Sequence, residues 1–307
     1  MLAQIVCWTL SLTHTPEALM KKILGTYGNP RQHWVGDGFP VRSLFSYDQF
    51  GKELSPFLLL DYAGPTEFSP TTAQRGVGQH PHRGFETVTI VYQGAVAHRD
   101  SSGGGGEIGP GDVQWMTAGA GIIHEEYHSP EYAASGGAFE MVQLWVNLPA
   151  KDKMTPAHYQ AITAAQIPVV DLPDGAGTLR VIAGGYADAA GAAQTYSPIN
   201  VWDVALQAGK TVDFSIPEGH TAAVVVLHGT LQVNGDAIAR DAQMVMLDQD
   251  GADFHVEANS DAIFLILSGE PLNEPIEGYG PFVMNTAAEI REAIADFNNG
   301  DFGKISH

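Results

Sequence analysis

The sequence predicts an all-β protein built from two similar barrels or sandwiches in tandem, and three observations carry that reading. Glycine (35) and proline (18) fill 53 of the 307 positions, too many breakers for a protein of long helices. Short runs that alternate apolar and polar residues, each bounded by turn residues, recur through both halves. There is also a weak internal echo. Val91-Tyr-Gln-Gly94, followed by Asp112-Val-Gln114, resembles Val226-Leu-His-Gly229 followed by Asp241-Ala-Gln243, as duplication of one unit would leave it.

Composition narrows the function classes. A hydrophobic content of 44% is ample for a buried core, and a formal charge of −20 repels nucleic-acid phosphates and anionic membrane surfaces. Direct nucleic-acid binding is therefore not expected. The single cysteine, Cys7, cannot close an internal disulfide and excludes zinc sites that need two thiolates. A metal site would have to use His and carboxylates. No apolar run approaches the roughly 18 residues of a membrane span, so a soluble, cytoplasmic protein is expected.

Taken in order, residues 1–22 read as an extension outside the fold. Met1 to Leu12 lack the basic start of a secretion signal, and Met20-Lys-Lys-Ile-Leu24 looks like an ordinary start of translation. A first barrel is expected over 23–150. Its clearest strand is Glu86-Thr-Val-Thr-Ile-Val-Tyr92, ended by Gly94. Ala95 to His98 continues as strand, and Ser101-Ser-Gly-Gly-Gly-Gly106 reads as a flexible loop, because no Gly-Lys-Ser/Thr follows to make it a phosphate cradle. The turn Gly109-Pro-Gly-Asp112 leads into Val113 to Thr117. Residues 151–165 read as a linker with a short helix. Strand-like runs resume over 166–307, from Leu179-Arg-Val-Ile182 to Ile263-Phe-Leu-Ile-Leu267. Thr286 and Glu289 have capping-box spacing ahead of Ile290, Ala293, Ile294 and Phe297, which predicts one amphipathic closing helix packed on a barrel flank.

The chemistry concentrates in two histidine clusters. His80-Pro-His82 precedes the clearest strand, and if that strand extends back through it, His80, His82 and Glu86 share a face with Val88, Ile90 and Tyr92 inside the barrel. Two imidazoles two residues apart on one strand can reach one ion. Downstream, His124-Glu-Glu-Tyr-His128 puts His124 and Glu126 on one face of an extended segment. Three His and a carboxylate leave coordination positions open, the composition of a reactive rather than a closed metal site. His124 to His128 also fits the His-Glu-x-x-His pattern of metalloproteases. That pattern needs a helix, but Gly119, Gly121 and Pro130 leave about two turns at most and no apolar helical stripe surrounds it, so His128 is read as a spare ligand or a rim residue. His220, His228 and His255 in the second half lack the paired spacing, and a second metal site is not expected there.

These residues carry a resemblance. His80-Pro-His-Arg-Gly-Phe-Glu-Thr-Val-Thr89, Gly111-Asp-Val-Gln-Trp-Met-Thr-Ala-Gly119 and Gly121-Ile-Ile-His-Glu-Glu126 resemble the signature of the pirin family of the cupin superfamily. Pro56-Phe-Leu-Leu-Leu-Asp61, Gln143-Leu-Trp-Val-Asn-Leu-Pro149 and Gly280-Pro-Phe-Val-Met-Asn-Thr286 support it. The resemblance spans about residues 21–303, loosely over Gly175 to Gly269. It implies two cupin (double-stranded β-helix, jelly-roll) barrels, with one divalent transition metal in the first. Fe(II) is the expected ion, with Cu, Mn, Co, Ni or Zn as alternatives. Position by position, the implied ligands are His80, His82, His124 and Glu126. Cupins in general take their Glu from the first motif, where Glu86 stands, so Glu86 remains an alternative ligand or a neighbouring carboxylate.

The activity implied is that of the quercetinase-type pirins, which open the central ring of a flavonol with O₂ and release CO. The cation would acidify the substrate hydroxyl and Glu126, as ligand and base, would accept its proton. The runner-up that the resemblance implies is a non-catalytic iron protein that binds a transcription factor or a metabolic enzyme. A cupin isomerase or other small-molecule enzyme would use the same ligands.

Overall fold

Alternating runs satisfy their backbone groups by pairing with one another, and in the computed structural model, which describes residues 19–305, they do so twice on one plan. In the N-terminal barrel the seven-stranded sheet runs His158–Ile162, Val113–Thr117, Phe85–Gln93, Gly137–Asn147, Phe57–Phe68, Phe39–Ser46 and His33–Val35. It faces a four-stranded sheet of Gly76–His82, Ile122–His128, Val96–Asp100 and Gly105–Ile108. The C-terminal barrel repeats the arrangement. Its seven strands are Ile23–Gly28, Gln243–Leu247, Thr221–His228, Ala262–Gly269, Ile199–Leu206, Gly177–Ala183 and Val169–Asp171. Its four are Thr211–Ser215, Asp253–Ala258, Thr230–Val233 and Ala237–Arg240.

The internal echo falls at matching places. Gly94 and Gly229 end equivalent strands at φ 79° and 88°. Asp112 and Asp241 each accept a hydrogen bond from a glycine amide, that of Gly109 and of Gly229. The two large sheets pack face to face, with Val88, Ile90, Trp115 and Leu144 of one against Val201, Val225, Leu265 and Leu267 of the other in a single core. Burial of that apolar area is the main force joining the barrels.

The expected chain limits do not follow the sheets. Ile23–Gly28, assigned by sequence to the first barrel, pairs with Gln243–Leu247 of the second. His158–Ile162, expected to be linker, pairs with Val113–Thr117 and completes the first barrel, while only a 3₁₀ turn at Ala150–Asp152 represents the expected short helix. The second barrel thus takes its edge strand Ile23–Gly28 from ahead of the first, and the first extends past its expected end to Ile162. The closing helix, Ala287–Asn299, is capped as its sequence predicts: Thr286 Oγ accepts from the Glu289 amide and Gly300 ends it at φ 85°. The flank it covers is that of the N-terminal barrel, where Asp296 pairs with Arg83 at 2.8 Å and Ile290 and Phe302 pack with Ile123.

The expected extension over residues 1–22 lies outside the described residues as far as 18, but from Met20 the chain is part of the fold. Met20 bridges to Asp253, and the buried Lys21 ammonium donates to the carbonyls of His220, Asp248 and Gln249. Lys153 is a second such staple. It is 1% exposed and donates to the carbonyls of Gly84 and Val283 and to Asn147 Oδ1, each at 2.8 Å. Burial lowers its pKa to about 7. Among the described residues no helix is long and apolar enough to cross a membrane.

Removing the Lys153 ammonium strands three acceptors where water cannot replace it. Lys153→Met, which keeps the stem, is expected to lower unfolding stability by about 2–3 kcal/mol. Urea titration checks this, and an unchanged midpoint would show that the staple is dispensable.

Candidate metal centre

The centre begins with a break in a strand. Gly84 sits at φ 88°, and a Cβ there would lie 2.1 Å from the Val283 carbonyl oxygen, so only glycine fits. Its amide donates to Gly119 O at 2.9 Å. The chain therefore leaves the small sheet after His82 and enters the large sheet at Phe85. This overturns the expected shared parity. Thr89 faces the barrel interior, with Oγ1 3.4 Å from Glu126, while Val88 and Ile90 face the second barrel. Glu86 keeps the parity of Val88 and Ile90 and accepts from Thr117 Oγ1 at 2.7 Å, away from the histidines. It belongs to neither group of potential ligands. Burial raises its pKa to about 7.

Three neighbouring strands then lay a row of polar side chains along the inner face of the small sheet. His124 stands opposite His80 on one side and Asp100 on the other; Glu126 stands opposite His98, and Ile122 opposite His82. The ligand atoms of His80, His82 and His124 lie within 4.8 Å of one another, and those of His98, His124 and Glu126 form a second such group. Of the four expected ligands, three converge directly. Glu126 is joined to them through His124, and His98 enters the row although its sequence context did not single it out.

The protons of this row are fixed by their neighbours. A carbonyl oxygen only accepts, so His80 Nδ1, 2.8 Å from Gly78 O, carries its hydrogen, as does His82 Nδ1, 3.3 Å from Pro281 O. Nε2 of each is left as a lone pair. His124 Nε2 is buried without any partner, a cost that a bound cation removes. Burial, and then the neighbouring imidazoles, hold His82 and His124 well below the usual histidine pKa. They are neutral near pH 7, the form that binds metals. Glu126 accepts from Gln114 Nε2 and Gln143 Nε2, both at 3.1 Å, and Gln143 Oε1 in turn accepts from Thr89 Oγ1 at 2.7 Å. Two amides hold the carboxylate and leave lone pairs free on both oxygens. Three imidazoles and a carboxylate are the kind of donor set a divalent transition metal takes, and His80, His82, His124 and Glu126 are the residues that would hold one.

Ile122–His128 is a strand, as the glycines and Pro130 around it require, and not a protease helix. His128 binds Gly38 O at 2.9 Å among Phe39, Phe68 and Phe139, and so is neither ligand nor rim. In the C-terminal barrel the corresponding small sheet turns Val212, Phe214, Leu231, Val233, Phe254 and Val256 into a buried apolar core. His228 instead bonds Glu140 across the barrel interface at 2.5 Å.

Sequence reasoning missed His98, Asp100, Gln114 and Tyr159, whose ring stacks on His98 at 5.0 Å and 11°. One signal was available. His98-Arg-Asp100 repeats the one-face spacing of His80-Pro-His82.

Two tandem jelly-roll barrels, one lined by a histidine and glutamate row and the other by apolar side chains, define a bicupin with one candidate metal centre among the described residues. The family model described as Pirin matches residues 38–146, and that of the Pirin C-terminal cupin domain matches 201–303. A Pseudomonas aeruginosa protein named "Putative quercetin 2,3-dioxygenase" is 64% identical over 92% of this chain and 99% of its own. Pirin-1 of Arabidopsis thaliana is 36% identical over 94% and 95% of the two chains. A crystal structure of quercetin 2,3-dioxygenase from Acinetobacter baumannii superposes with a TM-score of 0.92 at 63% identity, covering 94% of this chain and all of that one. The chain belongs to the pirin family.

The raised pKa of Glu86 has a definite sign. The folded protein holds a proton there that the unfolded chain releases near the ordinary value of 4.5, so this group's contribution to stability falls as pH rises from about 4.5 to about 7. Glu86→Gln removes that loss. Its stability relative to wild type should be greater at about pH 8 than at about pH 5, by on the order of 2 kcal/mol, as read from denaturant midpoints at both values. An equal difference at both would contradict the assignment.

Proposed function

We propose that the protein is a metal-dependent dioxygenase of the quercetinase type, acting with O₂ on a flavonol or similar flat phenol. The observation that carries this reading is the convergence of three imidazoles beside a carboxylate held by amides, inside a barrel whose lining includes aromatic rings. The close likeness to proteins named as quercetin 2,3-dioxygenases supports it. His80, His82, His124 and Glu126 would hold the metal, with Fe(II) the first expectation. When bound, the ion supplies open coordination positions and lowers the pKa of a substrate hydroxyl.

The remaining work falls to the chain. The Glu126 carboxylate, oriented by Gln114 and Gln143, accepts the proton of the substrate hydroxyl. Phe85 and Trp145 lie 4.3 Å apart between ring centroids, and Trp145 lies 5.4 Å from the His82 ring. Trp145, partly exposed and backed by the buried Phe85, offers an apolar ring beside the ligands, suited to an aromatic substrate. Gln143 and Trp145 keep partial access to solvent, which opens the centre on their side.

Purified protein should hold about one transition-metal ion per chain, and His80→Ala combined with His124→Ala should remove it, as metal analysis would show. In air, the loaded protein should consume quercetin absorbance and release CO faster than the free ion. Glu126→Gln should keep part of the metal and lose turnover about 100-fold or more. No activity above free metal with Fe, Cu, Mn, Co, Ni or Zn would overturn the enzyme reading in favour of a metal-holding regulatory protein.

A further inference from the structure

His80 and His82 direct their Nδ1 hydrogens to backbone carbonyls, but His124 does not. Its Nδ1 lies 3.4 Å from Nδ1 of His98. Two imidazole nitrogens can share a hydrogen only if one of them lacks it, so the state of His98 decides which nitrogen of His124 is free.

Two independent neighbours set that state. Asp100 Oδ2 lies 3.0 Å from His98 Nε2, and a carboxylate accepts, so the His98 hydrogen is on Nε2. On the other side Gln114 Nε2 lies 3.2 Å from His98 Nδ1. The orientation of that amide is fixed in turn, because the same nitrogen must donate to the Glu126 carboxylate at 3.1 Å. His98 Nδ1 is therefore an acceptor by both arguments. It shares the hydrogen of His124 Nδ1 and leaves His124 Nε2, buried and otherwise without a partner, as the lone pair. Both nitrogens of His98 are thus engaged, which removes it as a metal ligand despite its place in the second cluster.

The dyad is built to hold still. Asp100 Oδ1 accepts from the Ser102 amide at 2.8 Å, Ser102 Oγ at 2.6 Å and the Gly104 amide at 3.0 Å, so the start of the glycine-rich run anchors the carboxylate. Tyr159, from the strand the sequence reads as linker, stacks flat on the His98 ring. The side chains of His98 and Asp100 have no solvent exposure.

We propose that Asp100 and His98 are positioning residues that fix the tautomer of His124, and that Gln114 ties this relay to Glu126, so the outer dyad tunes both halves of the metal centre. The inference rests on the metal-binding reading of His80, His82, His124 and Glu126. Partners of this kind orient a ligating imidazole and raise its basicity, and their loss typically weakens metal binding by 10–100-fold. Asp100→Asn is the sharpest change. It keeps Oδ1 for the loop but offers an amide donor to His98 Nε2, forcing the hydrogen onto Nδ1, where it meets the hydrogens of Gln114 and His124.

Two measurements test this. Long-range ¹H–¹⁵N correlation of histidine-labelled, metal-free wild type should show His98 as the Nε2–H and His124 as the Nδ1–H tautomer, and Asp100→Asn should convert His98 to Nδ1–H. Chelator competition with Co(II) should give the folded Asp100→Asn protein an affinity lower by about 10–100-fold. A wild-type His98 carrying its hydrogen on Nδ1 overturns the inference, as does Co(II) affinity within about twofold of wild type in a variant with an unchanged circular dichroism spectrum. Failure of wild type itself to bind Co(II) would instead bring down the metal reading on which the inference rests.

Discussion

The structure depends on a polar row placed where water does not reach. His82, His98, Asp100, His124 and Glu126 are all buried on the inner face of one small sheet. A buried polar group without a partner costs on the order of 1–3 kcal/mol, so every hydrogen in the row needs a destination. Those of His80 and His82 go to carbonyls, that of His98 to Asp100, and those of Gln114 and Gln143 to Glu126. The lone pairs left over then converge. Convergence is what remains once hydrogen bonding has been satisfied elsewhere, and it makes the centre ready for a cation before one arrives.

The second barrel shows what the first gave up. With valine, phenylalanine, leucine and alanine on the inner face of the corresponding sheet, its interior is an ordinary hydrophobic core. The N-terminal barrel spends core volume on chemistry and borrows support from outside. Its outer sheet packs on the second barrel, the closing helix covers its histidine strand edge, and Lys153 ties Gly84 to Val283 and Asn147. Ile23–Gly28, which precedes the first barrel in the chain, completes the second and so interlocks the two units, while His158–Ile162 completes the first beyond its expected boundary. Tyr159 on the latter strand reaches the candidate centre itself.

Much of this was legible in the residues. Alternation located the strands, and the echo between Gly94 and Gly229 matches equivalent strand ends. The capping pair Thr286 and Glu289 marked the helix, and the spacing of His80, His82 and His124 marked side chains that do come together. Glu86 shows where such reading stops. Parity counted along the sequence holds only while the strand is continuous, and one left-handed glycine at position 84 moved the chain to another sheet and reversed every face beyond it.

The sequence by itself determined the class of fold, the absence of thiolate sites and the side chains that could bind a metal, because these follow from composition and from local period. Tertiary structure decided which carboxylate lies beside the histidines, which strands complete which barrel, and that His98 and Asp100 stand behind His124. Those relations join positions distant in the chain, such as Lys153 with Val283 and Arg83 with Asp296, through contacts that only packing creates. Local preference fixes the face a side chain takes on its own strand. What lies opposite that face is set by how the sheets close.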